Sequence, residues 1–174
     1  MFTKEDLEDR SWRREEKTVL ELAKETDFEE VNRLARQVTA HHAQWTPGLE
    51  VVEHPYPMDY FLECIKPESI RESAIYVMRQ NGSVVGYMRI YIWNTNSTVS
   101  AKRTILSIDD IGVDEALRAQ GIGTRMMTRL KALAKENWGC SSICLYVDAP
   151  NESARAYYEK CGFHIRNIGM TLEL

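Results

Sequence analysis

A short glycine-containing turn is the clearest candidate for a binding site in this sequence. Residues 118–127 read RAQGIGTRMM and lie between a predicted strand and a predicted helix. Gly121 and Gly123 permit a tight turn with exposed backbone N–H groups, and the helix that begins there adds the positive end of its dipole. These features suit a diphosphate, although a tight loop that binds nothing has the same spacing. No Gly-Lys-Ser/Thr follows, and the third glycine and acidic residue of dinucleotide-binding turns are missing, so nucleotide hydrolysis and hydride transfer are disfavoured.

Two carboxylates precede this turn. Asp109 and Asp110, in the run SIDDIGV, fall four and three residues before Val113, near the end of a predicted strand. Because successive strand residues face opposite sides, one of the two is expected to face the site, where it would attract a cation. The alternative is that the two aspartates simply lie at a solvated end of the strand and have no role in binding.

A second segment, residues 151–163, reads NESARAYYEKCGF and predicts a helix. Asn151 is a natural N-cap for it. Helical spacing places Tyr157 and Tyr158 in one stripe with Ala154 and Cys161, so spacing alone leaves either tyrosine as a packing residue.

Both segments resemble signatures of one family. Residues 113–123, VDEALRAQGIG, resemble the acetyl-coenzyme A signature of the GCN5-related N-acetyltransferases (GNAT), in which Arg/Gln-x-x-Gly-x-Gly/Ala follows a strand. The second segment is similar to the family's closing motif at Asn151, Ala154, Tyr158, Gly162 and Phe163. The likeness in motif detail covers residues 105–165, and the order of elements agrees from about Leu20 to Leu174.

The resemblance implies that acetyl-coenzyme A (acetyl-CoA) is the co-substrate. Its pantetheine arm would pair with the strand backbone at Ile111, Gly112 and Val113, where two parallel strands splay apart. Tyr158 would lie near it, and Asn151 would be a cofactor contact, a helix cap or both. The diphosphate would be held by the backbone amides of Arg118, Ala119, Gln120, Gly121, Ile122, Gly123 and Thr124.

The resemblance also selects Tyr158 as the catalytic acid and leaves Tyr157 as a packing residue. Aminolysis of a thioester releases a thiolate whose pKa should be about 8.5, and a neutral phenol can protonate it. The acceptor amine must lose a proton before it attacks. Asp109 and Asp110 are similar to an acidic pair that some members use for polyamines or other amines. Other members carry a glutamate on the next strand, and Tyr146 occupies that position here.

Other reactive side chains have weaker functional interpretations. The resemblance implies that the irregular segment near residues 41–61 borders the acceptor pocket. Packing is the commoner role of aromatic and histidine rings in such a segment. The rings are those of His41, His42, Trp45, Tyr56, Tyr60 and Phe61. The cysteines are scattered without histidine partners, so we expect no metal site and reduced, mostly buried thiols, with an acyl-cysteine as the alternative. These residues are Cys64, Cys140, Cys144 and Cys161.

Composition predicts one domain. The chain has 174 residues, of which 44% are hydrophobic, and residues 1–16 form a charged arm before a domain that spans residues 17–174. The net charge of −4 disfavours nucleic-acid binding. No run of apolar residues suggests a membrane span or a secretion signal, so we expect a cytoplasmic protein; a homodimer is left open.

Periodicity predicts a mixed α/β fold. A strand over Thr18–Ala23 precedes a helix capped by Thr26 or Asp27, and a short helix follows around Asp59–Ile65. Asn81-Gly82 predicts a hairpin turn. A strand over Thr104–Val113, a helix over Gly121–Asn137 and a strand over Ser142–Val147 should form a parallel crossover. A helix over Asn151–Cys161 and a closing strand or strand pair over Phe163–Leu174 complete a single-domain, mostly antiparallel sheet flanked by helices, with splayed parallel central strands.

The function predicted is direct transfer of acetyl from acetyl-CoA to a primary amine in a ternary complex, with a small cationic amine as acceptor. Two alternatives stay open. One is acetylation of a protein or peptide N-terminus, and the other is a non-catalytic module that binds acyl-CoA.

Overall fold

The computed structural model describes residues 18–46, 48–95, 101–170 and 172, so the predicted arm lies outside it. Within these ranges the chain forms five strands and four α-helices, in the predicted order and within two residues of most predicted bounds. They are β1 (Thr18–Leu22), α1 (Phe28–His42), α2 (Met58–Cys64), β2 (Ala74–Gln80), β3 (Ser83–Asn94), β4 (Thr104–Val113), α3 (Ile122–Glu136), β5 (Ser142–Leu145) and α4 (Glu152–Lys160). No helix in these ranges combines the length and apolarity needed to cross a bilayer.

The strands form one sheet in the order β1-β2-β3-β4-β5. All neighbours are antiparallel except β4 and β5, which are parallel, so the predicted mixed α/β class is confirmed. The predicted hairpin joins β2 to β3. Asn81 and Gly82 adopt positive φ angles of 52° and 88°, as a type I′ turn requires.

The parallel pair is short. β4 pairs with β5 only from Ile105 to Ile108, because β5 ends at Leu145, two residues before its predicted end. β4 itself continues to Val113. Among the described residues, the edge of β4 from Asp109 to Val113 therefore has no strand beside it on this side. We call this opening the β4–β5 gap.

A β-bulge reverses the facing of side chains in β4. Arg89 of β3 is opposite Asp110, yet the next residue, Ile90, is opposite Ile108, so Asp109 is an extra residue in β4. Such an insertion shifts the alternation of every residue beyond it. As a result Ile111 and Val113 lie on the same face as Leu106 and Ile108, and Asp110 and Gly112 lie on the opposite face.

Each face of the sheet has its own core. One face packs against α3. Its core includes Met88, Leu106 and Ile108 of the sheet and Ile122, Met126 and Leu130 of α3. Ile111 and Val113 of β4 and Tyr158 of α4 are partly buried against this core. The other packs against α1 and α2, through Val31, Leu34, Tyr56, Phe61, Ile75, Val77 and Tyr87. The two amphipathic helices α1 and α3 bury their apolar stripes on opposite faces.

Two predictions were wrong in part. Asp27 occupies the N-cap position of α1, but its carboxylate accepts from the Lys24 backbone N–H at 2.8 Å and pairs with Arg79 instead of capping that helix. Residues 163–170 have no regular structure where a closing strand was predicted, and Ile168 is 82% exposed. The apolar alternation there changes phase between Ile165 and Ile168, so one straight strand could not bury both parts.

Candidate active site

The glycine turn has the backbone of an anion-binding site. Ala119 and Gly121 both have positive φ, 62° and 76°, and Gly121 is the N-cap residue of α3. A left-handed conformation is uncommon for alanine and is found most often at functional turns. Residues 118–121 are exposed, so a ligand can reach the turn and the positive end of the α3 dipole.

An unpaired hydroxyl lies beside this turn. Among the described residues the Tyr157 hydroxyl oxygen is buried and has no partner at hydrogen-bond geometry, although the Cys161 thiol is near enough to affect it. It lies 3.1 Å from the position that a Cβ on Gly123 would occupy. Burial raises the pKa of Tyr157, so the phenol keeps its proton. Hydroxyl and amide donors near a helix N-terminus fit a diphosphate. The hydroxyl places a polar group beside the turn in addition to the packing role predicted for Tyr157, whose ring contacts Tyr158.

Tyr158 lies at the margin of the α3 face, where its ring meets Phe163 at a centroid distance of 5.8 Å. Burial raises its pKa to about 12, and the negative charge of Asp110 and the nearby Cys161 contribute. The phenol is therefore protonated at neutral pH. Asp110 thus acts on Tyr158 through its charge, whereas the ring contacts of Tyr158 are with Tyr157 and Phe163.

Asp110 faces the α1 side of the sheet and accepts two hydrogen bonds. The hydroxyls of Tyr56 and Tyr87 both donate to its Oδ2, each at 2.5 Å. Burial, followed by the charge of Asp110, raises the pKa of both tyrosines well above the usual value. The phenols therefore remain donors, and the carboxyl group is the acceptor.

Asp109 has a different environment. It is exposed at the bulge and forms a 2.8 Å ion pair with Arg89. The same guanidinium donates to the Tyr60 hydroxyl at 3.0 Å and lies 5.9 Å from the centre of the Tyr56 ring. The cation compensates Asp109, whereas the partners of Asp110 are neutral.

Gly112 has a structural role that the sequence left open. A Cβ at this position would lie 2.7 Å from a methyl group of Val38 and 2.8 Å from the Tyr87 ring. Glycine is thus required at position 112 because side chains of α1 and β3 lie close to its Cα. Its neighbours Ile111 and Val113 pack on the opposite face, and the backbone of all three borders the β4–β5 gap.

The other candidates have mainly structural contacts. The Asn151 side chain accepts from the Ala154 backbone N–H at 3.1 Å, which confirms the cap. His41 contacts Gln44 and Trp45. In the described part of the chain the cysteines are free, no group of side chains suits a metal ion, and burial raises the pKa of Cys140, which does not favour a thiolate.

The sequence did not identify Tyr87 and Arg89 as site residues. They alternate with Met88 and Ile90, a pattern that indicates a strand but not its partners. Their role depends on the β3–β4 register, which places Tyr87 opposite Gly112.

Comparison with known proteins identifies a family. Residues 35–163 match the family model described as "Acetyltransferase (GNAT) family". The Oryza sativa subsp. japonica protein named "Probable glucosamine 6-phosphate N-acetyltransferase 2" is 42% identical over 65 residues, 37% of each chain. "Uncharacterized N-acetyltransferase MJ1207" of Methanocaldococcus jannaschii is 30% identical over 98 residues, 56% of this chain and 42% of that protein. These matches span less than half the length of the curated relatives.

Solved structures extend the similarity. The BH1408 protein of Bacillus halodurans superposes with a TM-score of 0.79 at 25% identity, over 90% of this chain and 99% of that chain. An aminoglycoside N-acetyltransferase in complex with CoA has a TM-score of 0.65 at 16% identity, over 90% of this chain and 94% of its own, which shows the shared fold. The family model covers well over half of the sequence, and the chain belongs to the GNAT family of acetyltransferases.

Proposed function

We propose that this protein transfers the acetyl group of acetyl-CoA to a primary amine, and that the acceptor is a small cationic amine. The observation that carries the proposal is a carboxylate, Asp110, on the part of β4 that borders the β4–β5 gap, together with a phenol, Tyr158, whose raised pKa keeps it protonated. When bound, acetyl-CoA supplies the activated acetyl thioester. The named relatives that act on glucosamine 6-phosphate and on aminoglycosides support an amine acceptor of modest size.

The proposed base and the proposed acid lie on opposite faces of the sheet. On the α1 side, the Asp110 carboxylate attracts an ammonium group and accepts the proton that the amine must lose, directly or through a water molecule. On the α3 side, the Tyr158 hydroxyl donates a proton to the departing sulfur. The turn from Arg118 to Thr124 and the Tyr157 hydroxyl hold the diphosphate, and the backbone from Ile111 to Val113 aligns the pantetheine arm.

The test is release of free thiol on incubation with acetyl-CoA and a panel of polyamines, amino sugars, aminoglycosides and peptides with free N-termini. We expect turnover with small cationic amines, at a rate that rises with pH as an amine with a pKa of about 10 deprotonates. Faster turnover with peptides than with small amines would show that the acceptor is a peptide N-terminus instead of a small cationic amine. Binding of acetyl-CoA in calorimetry without thiol release from any amine would indicate the non-catalytic module.

The two aspartates provide a matched pair of variants. Asp110→Asn should raise the KM for the amine about tenfold or more and lower kcat, while the KM for acetyl-CoA changes little. Asp109→Asn should have the smaller effect, because Arg89 already neutralises that carboxylate. Equal effects of the two substitutions, or none from Asp110→Asn, would contradict the assignment of the proton acceptor.

A further inference from the structure

The geometry points to Tyr87 and Tyr56 as positioning residues that hold Asp110 for the transfer reaction, an inference that rests on the proposed function. Both hydroxyls donate to the same oxygen, Oδ2, at 2.5 Å. Among the residues that the structure describes, no hydrogen bond reaches Oδ1, and Asp110 is only half-buried. One oxygen of the carboxylate is therefore fixed by the protein, and the other is free to meet the acceptor.

Two neutral donors do more than orient the carboxylate. Hydrogen bonds donated to a carboxylate favour its charged form, which is the form that binds an ammonium group and takes up a proton. An arginine at the same place would also favour the charge, but it would cancel the attraction for a cationic amine, as Arg89 does for Asp109. Tyrosine donors orient Asp110 without adding a positive charge at the oxygen to which they bond.

The fold makes room for Tyr87. This residue has no solvent exposure and lies opposite Gly112 across the β3–β4 ladder. A Cβ at position 112 would lie 2.8 Å from Cε1 of the tyrosine ring. The absence of a side chain at Gly112 thus leaves room for the Tyr87 ring, whose hydroxyl reaches Asp110, two residues before Gly112 in β4.

Tyr56 is fixed by a buried amide. The Asn32 side chain of α1 accepts from the Tyr56 backbone N–H at 2.8 Å and donates to the Tyr56 carbonyl at 3.1 Å. In a third hydrogen bond, the Asn32 amide nitrogen donates to the carbonyl of Phe28 at 3.1 Å. Asn32 has no solvent exposure, so these bonds are costly to break. They anchor an otherwise irregular segment at the point where its hydroxyl meets the site.

The experiment compares Tyr87→Phe and Tyr56→Phe with Tyr76→Phe in thiol-release assays. Tyr76 is a matched control because its ring packs against Trp138 in contact with the α3-side core. Loss of one donor should lower kcat/KM for the amine about tenfold relative to wild type, because the carboxylate is no longer held in place. The KM for acetyl-CoA should stay within about twofold.

An equal rise in the KM for the amine and in the KM for acetyl-CoA would mean that the hydroxyls only stabilise the fold, and would overturn the inference. So would wild-type activity in both variants, or an equal effect of Tyr76→Phe.

A second measurement needs neither acetyl-CoA nor an amine, and so separates this inference from the proposed function. Tyrosinate absorbance is followed in the ligand-free protein as pH rises. In Asp110→Asn, Tyr56 and Tyr87 should ionise at lower pH than in wild type, because the carboxylate charge that raises their pKa is gone. Asp109→Asn should leave that titration unchanged. Superimposable curves for wild type and Asp110→Asn would show that the tyrosines are not held by Asp110.

Discussion

The two adjacent tyrosines of α4 are expected to separate catalysis from binding. Tyr158→Phe removes the proposed acid and should lower kcat about 10²- to 10⁴-fold, with the affinity for acetyl-CoA nearly unchanged. Tyr157→Phe removes the unpaired hydroxyl beside Gly123 and should leave kcat much less affected, while weakening binding of the coenzyme. Steady-state kinetics and calorimetry give both quantities. Equal losses of kcat in the two variants would contradict the assignment.

At the residue scale, what the sequence could predict depended on how local the signal was. Asp110, Tyr158 and the glycine turn stand at fixed spacings within a resemblance of about sixty residues, so they could be proposed directly. The hydrogen bonds to Asp110 come from Tyr56 and Tyr87, which are 54 and 23 residues away in the chain. No local pattern encodes those distances. They follow only when the strand register and the path of the segment after α1 are known.

At the scale of elements, both ends of α3 carry a glycine with positive φ, and this permits a controlled test of the turn. Gly121, with φ of 76°, lies at its N-terminus, and Gly139, with φ of 60°, lies just beyond its C-terminus. Gly121→Val and Gly139→Val should both lower the free energy of unfolding by about 1 kcal/mol or more, because a β-branched residue is strained in this conformation.

Only Gly121→Val should weaken coenzyme binding, since only that turn is proposed to hold the diphosphate. Thermal unfolding and calorimetry on the same samples give the comparison. If both variants, or neither, lose affinity for acetyl-CoA, the turn is not the diphosphate site.

The elements themselves were largely predictable, and the exceptions have physical causes. The hairpin turn and the helical stripes are local signals, and each appears where the pattern placed it. The bulge at Asp109 could not be foreseen, because one extra residue in β4 is visible only against β3. The bulge determines which of the two carboxylates faces α1. Alternation along the sequence could not predict this. The described residues of the predicted closing segment show the reverse case, because their apolar alternation forms no strand and changes phase between Ile165 and Ile168.

At the scale of the whole molecule, buried phenols should make the protein sensitive to alkali. Of eight tyrosines, five have a raised pKa, with burial as the main cause: Tyr56, Tyr76, Tyr87, Tyr157 and Tyr158. A raised pKa means that the folded protein holds these protons more tightly than the unfolded chain. The stability they contribute is therefore present below about pH 10, the unfolded value, and is lost as pH rises beyond it.

We expect the Tm to be nearly constant up to about pH 9 and to fall steeply above about pH 10. Each phenol that ionises only on unfolding contributes a slope of up to about 1.4 kcal/mol per pH unit. Tyr87→Phe removes one such group and should make the decline shallower. A Tm that falls equally in wild type and Tyr87→Phe would show that Tyr87 does not contribute.

Amide hydrogen exchange should divide the end of β4 into two sets of residues. Between Asp109 and Val113, alternate N–H groups point toward β3 and are protected by its carbonyls, while the others point into the β4–β5 gap. In the free protein the second set should exchange with solvent deuterium far faster than the first. Acetyl-CoA should slow the fast set if its pantetheine arm pairs with this edge. 3′-Phospho-ADP, which carries the diphosphate without the arm, should protect the glycine turn and leave the fast set of β4 unchanged.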